Sequence, residues 1–259
     1  MPFLESENVR IHYALEGPSG APVLVLSNSL GTNYSMWDPQ IPEFLKTLQV
    51  LRYDTRGHGQ TSVPQGPYAI EQLAKDVLVL ADALGVKRFH FCGLSMGGMI
   101  GMWLGVNAPE RLNKLVLCNT AAKIGTPETW SARIEDVRKN GMKQIAASVV
   151  ERWLSPAFRE KTPATAANTL KMLEAANPEG YAACCAAVRD FDFRERLDSI
   201  HTMSLVIAGK YDPATPPADG RFLADHIQGA RYVELNAAHL SNIEDADRFS
   251  KEVSAFLNS

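Results

Sequence analysis

At 259 residues, with 46% hydrophobic and 21% charged side chains, the chain has the makeup of a soluble globular protein with material for a sizeable core. Its formal net charge of -3 and the lack of any long Lys/Arg run give no basis for nucleic acid or a membrane surface as partner. No stretch approaches the roughly 18 apolar residues of a membrane span, and the N-terminus, with Glu5 and Glu7, lacks the apolar segment of a secretory signal.

Residues 9–16 alternate, with Val9, Ile11, Tyr13 and Leu15 on one face, which predicts an early half-buried antiparallel strand. After the turn cluster Gly17-Pro18-Ser19-Gly20, the run Val23-Leu24-Val25-Leu26 reads as a strand covered on both faces. A loop over 27–33 and a helix over about Met36 to Lys46 follow. The strand Val50-Leu51-Arg52-Tyr53 then enters the turn-rich loop Asp54-Thr55-Arg56-Gly57-His58-Gly59. Leu73, Val77, Leu80 and Leu84 recur at helical spacing, and Gly85 closes that helix. Phe89-His90-Phe91-Cys92 is a buried-strand run, Met96 to Val106 is helix-like, and Leu115-Val116-Leu117-Cys118 is another apolar strand. Strands alternating with helices at this spacing indicate a mostly parallel sheet built from right-handed crossovers.

The rhythm changes after Ala121. Residues 122–193 hold no buried strand but helical stretches rich in Ala, Lys, Arg and Glu, broken at Pro127, Pro156, Pro163 and Pro178. The alternation resumes with the strand Ser204-Leu205-Val206-Ile207-Ala208, a helix near Gly220 to His226, the strand Tyr232-Val233-Glu234-Leu235 and a last helix from Asp245 to Leu257. The expected architecture is α/β: a doubly wound core of residues 1–121 and 194–259, with residues 122–193 inserted as a helical cap. The cap would lie over the C-terminal strand ends, where such sheets bind ligands. Cys92 and Cys118 fall on apolar strands and Cys184 and Cys185 are adjacent, so neither a disulfide framework nor a metal site is expected. Reduced, buried thiols in a cytoplasmic protein are the expectation. The pair Cys184-Cys185 has no role that the sequence explains.

The sharpest signal is Gly93-Leu94-Ser95-Met96-Gly97, a Gly-x-Ser-x-Gly pattern with a strand before it and a helix after it. A serine on so sharp a strand-to-helix turn is a nucleophile elbow, with glycines where no larger side chain fits. Histidine is the usual base for such a hydroxyl, because its pKa lies near neutrality. Of the six histidines, only His239 directly follows a late sheet strand, which places it at the same sheet edge as Ser95. The carboxylate that orients the imidazole should also follow a strand and lie between serine and histidine in the chain. Asp212, in Gly209-Lys210-Tyr211-Asp212-Pro213, fits, although an aspartate before proline is also a common turn former. Asp190, Asp192, Asp219 and Asp225 fall in or near predicted helices.

With these residues in place, the chain resembles the α/β-hydrolase fold family over its whole length, including the Tyr53-Asp54-Thr55-Arg56-Gly57-His58-Gly59 loop. The resemblance implies an oxyanion hole formed by the backbone N–H groups of Leu30 and Met96. Where many members carry His-Gly before the oxyanion residue, this chain has Asn28-Ser29. A narrower resemblance is to the 3-oxoadipate (β-ketoadipate) enol-lactone hydrolases of aromatic catabolism. It rests on Ser27-Asn28-Ser29-Leu30-Gly31, on Gly93 to Gly98, and on the start of the cap, Gly125-Thr126-Pro127-Glu128-Thr129-Trp130, continuing through Ser131, Ala132 and Arg133. It implies a small carboxylated enol lactone as substrate, an acyl-enzyme on Ser95, and no metal or organic cofactor. A substrate carboxylate under an apolar cap calls for a cation that can grip it in two places. Arg133 is the first candidate and Trp130, one helical turn earlier, a pocket wall; Trp153, Arg152 and Arg189 are weaker ones. A solvated mixed-charge face (Arg133, Glu135, Asp136, Arg138, Lys139) is the competing reading.

Other activities share the same three residues: a general carboxylesterase, a cofactor-free perhydrolase, or a hydrolase of carbon–carbon bonds. A hydrolase-fold ligand receptor with slow turnover is a further alternative.

Overall fold

The computed structural model describes residues 2–6 and 8–259; Met1 and Glu7, the latter one of the acidic residues noted at the N-terminus, lie outside that set. Its strands are β1 (Phe3–Ser6), β2 (Val9–Glu16), β3 (Val23–Ser27), β4 (Gln49–Tyr53), β5 (Phe89–Leu94), β6 (Leu112–Cys118), β7 (Ser204–Gly209) and β8 (Arg231–Leu235). Among the described residues they form one sheet in the order β1-β2-β4-β3-β5-β6-β7-β8. β2 pairs antiparallel with β1 and β4, and every other pairing is parallel. β3, β5 and β7 are buried along their whole length, as their unbroken apolar runs require of strands covered on both faces. The chain turns outward from β3 to β4 and then returns to the other side of β3 with β5. The loops after β3 and β5 therefore diverge over a crevice at this reversal of strand order.

The helices that cover the sheet are α1 (Ile41–Phe44), α2 (Ile70–Ala83), α3 (Met96–Asn107), α9 (Pro217–His226), α10 (Ser241–Glu244) and α11 (Ala246–Leu257). Between β6 and β7 the chain forms α4 (Pro127–Asn140), α5 (Met142–Trp153), α6 (Pro156–Lys161), α7 (Pro163–Glu174) and α8 (Pro178–Asp190). The prolines that interrupt this block each open a helix at its first position, where the missing N–H costs nothing. Where the chain enters and leaves the block, Phe193 N–H donates to Ala122 O at 2.9 Å.

Several elements differ from expectation. The helix read over Met36 to Lys46 is instead a 3₁₀ turn, Tyr34–Gln40, followed by the single turn of α1. Pro39 lies inside that 3₁₀ turn and cannot donate to an α-helical ladder. β1 was not anticipated; it is a four-residue edge strand with no apolar run of its own. α9 begins at Pro217 rather than near Gly220, and a short α10 precedes the last helix. On β2 the face opposite Val9 and Ile11 is not simply exposed, because His12 is buried against Phe3 and Tyr34.

The elbow depends on three segments meeting without side chains. A Cβ on Gly93 would lie 2.1 Å from Gly97 O, and one on Gly97 would lie 2.3 Å from Ser27 O, both backbone atoms. The end of β3, the end of β5 and the first turn of α3 are thus in backbone contact. Gly97→Ala is expected to destabilise the fold by about 3 kcal/mol or more, which thermal or denaturant unfolding would read directly. An unchanged midpoint would show that this contact can relax.

Candidate active site

Ser95 sits between β5 and α3 with φ 57° and ψ -113°, a conformation that costs a non-glycine residue roughly 1–3 kcal/mol. The surroundings hold it there. Ser95 N–H donates to Cys118 O at 2.9 Å, and its carbonyl accepts from Thr120 Oγ1 at 2.7 Å and Gly98 N–H at 2.9 Å. The residue is only 7% exposed, and it opens onto a cavity of 220 Å³.

His239 lines the same cavity. It belongs to the loop after β8, and its Nδ1–H donates to Asp212 Oδ2 at 2.8 Å, which leaves Nε2 as the acceptor of the neutral ring. Asp212 follows β7 and is buried beneath the histidine. Its Oδ1 accepts from the N–H groups of Ala214 and Thr215, at 2.8 and 3.0 Å. Its Oδ2 accepts in addition from Thr215 Oγ1 at 2.7 Å and Asn119 Nδ2 at 2.9 Å. Burial by itself would raise this carboxyl. The charge and hydrogen bond of His239, with Asn119 and Thr215, outweigh burial and hold it below its ordinary value.

Leu30 lies on the cavity wall in the loop after β3, and Met96 is the first residue of α3. Among the described residues, no acceptor takes the backbone N–H of either. The flanking groups are tied down. Gly31 N–H donates to His58 Nε2 at 2.8 Å, and Gly97 N–H to Asn28 O at 3.1 Å. Asn28 Nδ2 donates to Tyr53 O, while Asn28 Oδ1 accepts from Trp37 Nε1. The Asn28-Ser29 departure thus places a buried amide that anchors the loop. His58 accepts through Nε2 and is therefore neutral, and burial pushes its pKa down in keeping with that state.

The helical block supplies the rest of the cavity. Trp130 and Arg133 of α4 both line it, with the Arg133 guanidinium 5.0 Å from the Trp130 ring. Trp130 Nε1 donates to Ile124 O at 2.6 Å. The other charged residues of the α4 run point elsewhere, with Arg138 paired to Glu179 at 3.2 Å. Arg152 and Trp153 of α5 also line the cavity, whereas Arg189 does not: it pairs with Asp190 and Ser131. Arg152 is pushed below its ordinary value, first by burial and then by the charge of Arg133, so two guanidinium groups face one small space. Among the described residues, neither has a carboxylate within ion-pair distance.

Several lining residues were not anticipated, among them Tyr181, Val149 and Thr215. Val149 shares one face of α5 with Arg152 and Trp153 at helical spacing, a signal that could have found it. Asn119 and Thr215, which hold Asp212, carry no sequence pattern. Among the described residues, no group of three or more His, Cys, Asp or Glu side chains could hold a metal ion, and no helix is long and apolar enough to cross a membrane.

The Asp212 carboxyl has a testable consequence for stability. Its folded pKa lies below the ordinary value of 3.8, so its contribution is complete above that value and is lost as the pH falls through the folded one. Asp212→Asn should therefore lose less melting temperature than the parent when the pH is lowered from about 5 to about 3. Equal losses would mean that the carboxylate contributes no net stability.

Comparison with known proteins adds the following. A family model described as the alpha/beta hydrolase fold matches residues 22–246. The chain is similar to 3-oxoadipate enol-lactonase 2 of Acinetobacter baylyi, 44% identical over 254 residues, covering 98% of this chain and 95% of that one. The crystal structure of the enol-lactonase from Burkholderia xenovorans LB400 is 46% identical, with a TM-score of 0.98 and 100% of each chain covered. A malate-bound thermophilic esterase from Thermogutta terrifontis is 26% identical, with a TM-score of 0.94, covering 100% of this chain and 98% of that one.

Proposed function

The chain belongs to the α/β-hydrolase fold family, and from that premise we propose that it opens 3-oxoadipate enol-lactone, a small carboxylated enol lactone, to 3-oxoadipate. The observation that carries this reading is one cavity that joins Ser95 and the Asp212-bound His239 to two guanidiniums, Arg133 and Arg152, that have no ion-pair partner among the described residues. Similarity to named enol-lactonases over nearly the whole chain supports it, as does the malate, a dicarboxylate, in the related esterase.

In this reading His239 takes the Ser95 proton as Oγ attacks the lactone carbonyl, and Asp212 holds the imidazole in the required tautomer. The developing oxyanion accepts from the Leu30 and Met96 N–H groups. Collapse breaks the ring C–O bond and expels an enolate, which stays tethered through the acyl chain; the proton held by His239 passes to it, giving the ketone after tautomerisation and leaving the imidazole neutral. Water, deprotonated by His239, then cleaves the acyl-enzyme to give the second carboxylate and restore Ser95. An enolate is a good leaving group, so His239 matters more as a base than as the acid that assists departure. Arg133 grips the carboxylate the substrate already carries, Trp130 walls its apolar portion, and Arg152 adds a second positive charge. Residues 122–193 serve as a cap over a core of residues 1–121 and 194–259. The four free, buried cysteines support a cytoplasmic setting.

Steady-state kinetics on the enol lactone beside p-nitrophenyl acetate tests this reading, and a preference for the simple ester would favour a general carboxylesterase. Ser95→Ala should lower kcat by about 10⁶-fold; retention of most activity would remove the elbow from the mechanism. Arg133→Ala and Arg152→Ala should each raise KM for the lactone by at least about tenfold while leaving KM for the neutral ester nearly unchanged. Equal effects on both substrates would rule out a carboxylate clamp.

A further inference from the structure

Asn119 follows the last residue of β6 and is 1% exposed. Its φ of 44° lies in the left-handed region, which asparagine tolerates better than other side-chain-bearing residues. Its backbone N–H donates to Ile207 O at 2.8 Å, tying the turn to β7. From there the carboxamide bridges two further loops. Nδ2 donates to Asp212 Oδ2 at 2.9 Å and to Ala238 O at 3.1 Å, while Oδ1 accepts from Ser241 Oγ at 2.5 Å. Both Nδ2 partners can only accept, so the orientation of the amide follows from its surroundings. The Asp212 oxygen it touches is the one that accepts from His239 Nδ1, and Ala238 directly precedes His239.

We propose that Asn119 is a positioning residue for the acid–base pair: one amide holds the Asp212 carboxylate and the backbone before His239 at a fixed separation. It thereby sets the direction and strength of the Asp212–His239 hydrogen bond. This inference rests on Ser95, Asp212 and His239 being the catalytic set. A donor on Asp212 Oδ2 draws charge from the oxygen that stabilises the imidazolium. Without it, that oxygen binds His239 more strongly, and the freed Ala238 carbonyl lets the ring drift from Ser95. The other charged groups near the pair are Asp219 of α9, Glu244 of α10, and Arg133 and Arg152 on the cavity wall; they are the same in parent and variants.

The test is kcat and KM for the enol lactone against pH, in the parent, Asn119→Ala, Asn119→Asp and a control, Asp212→Asn. Asn119→Ala should lower kcat about tenfold with KM changed less than about twofold, and should move the acid limb of kcat/KM upward. Asn119→Asp sets a second carboxylate beside Asp212; it should lower kcat by about 100-fold and move the limb further. A limb and kcat matching the parent in either variant, with folding verified by thermal melting, would overturn the proposal and leave Asn119 a structural brace. If both variants melt too low to assay, the low-field proton resonance of the His239 Nδ1–H, recorded on cold folded samples, decides. Displacement from its position in the parent supports the proposal, and coincidence refutes it. Asp212→Asn separates this failure from that of the underlying reading. A loss of about 10⁴-fold in kcat is expected, and full activity there would remove Asp212 from the mechanism whatever Asn119 does.

Discussion

The backbone contact among Ser27, Gly93 and Gly97 is the constraint on which the rest of the site depends. Two parallel strands, β3 and β5, are neighbours in the sheet, and their continuations must part immediately after it. Only a turn with glycine at both contact positions lets α3 start this close to β3, and that turn places Ser95 at positive φ. The strain is held by several hydrogen bonds to Ser95's own backbone, from β6 and from the first turn of α3. The same geometry brings the N–H of Met96 and the loop bearing Leu30 to the two sides of one crevice. The proposed oxyanion donors and the proposed nucleophile thus follow from a single packing contact.

Around that fixed point the electrostatics are divided between the two ends of the cavity. At the sheet end a buried carboxylate stays ionised because five donors surround it, among them His239, Thr215 and Asn119. At the helical end two guanidiniums share a space that no carboxylate lines among the described residues. Crowding two like charges is unfavourable unless an anion joins them. In the proposed function the sheet end would provide general ester chemistry, and the helical end would narrow which ester is bound.

The strand-borne parts of this arrangement were legible because strands covered on both faces appear as unbroken apolar runs. Ser95 and Asp212 each stand just past such a run, and His239 follows the edge strand β8, whose run is broken by Glu234 and which is only partly buried. Trp130 and Arg133 could be named from one stretch at the start of the helical block, and both line the cavity. Arg152 reaches the same space from another helix, and no local pattern pairs it with Arg133. Asn119 and Thr215 were invisible for a different reason: a polar side chain that braces a carboxylate from a separate loop leaves no periodicity. The helix misplaced over 36–46 shows the opposite limit, where Pro39 prevented the α-helical hydrogen bonds. Cys184, which had no role in the sequence, packs as a buried thiol, its Sγ 3.5 Å from Arg56 O, and burial pushes its pKa well up.

The helical block and the loop after β8 that carries His239 are not independent. The Glu244 carboxylate accepts from Ala238 N–H at 3.1 Å and from Ser155 N–H at 3.0 Å, and it also accepts from the Ser155 hydroxyl. Next to it, Leu240 N–H donates to Trp153 O at 2.9 Å. The residues on both sides of His239 are therefore bonded to the end of α5 and the start of α6, the segment that follows Arg152. Asn119 and Glu244 hold opposite sides of Ala238, one by its carbonyl and one by its N–H. Ala238, next to His239, is thereby braced between the loop after β6 and, through Glu244, the helical block.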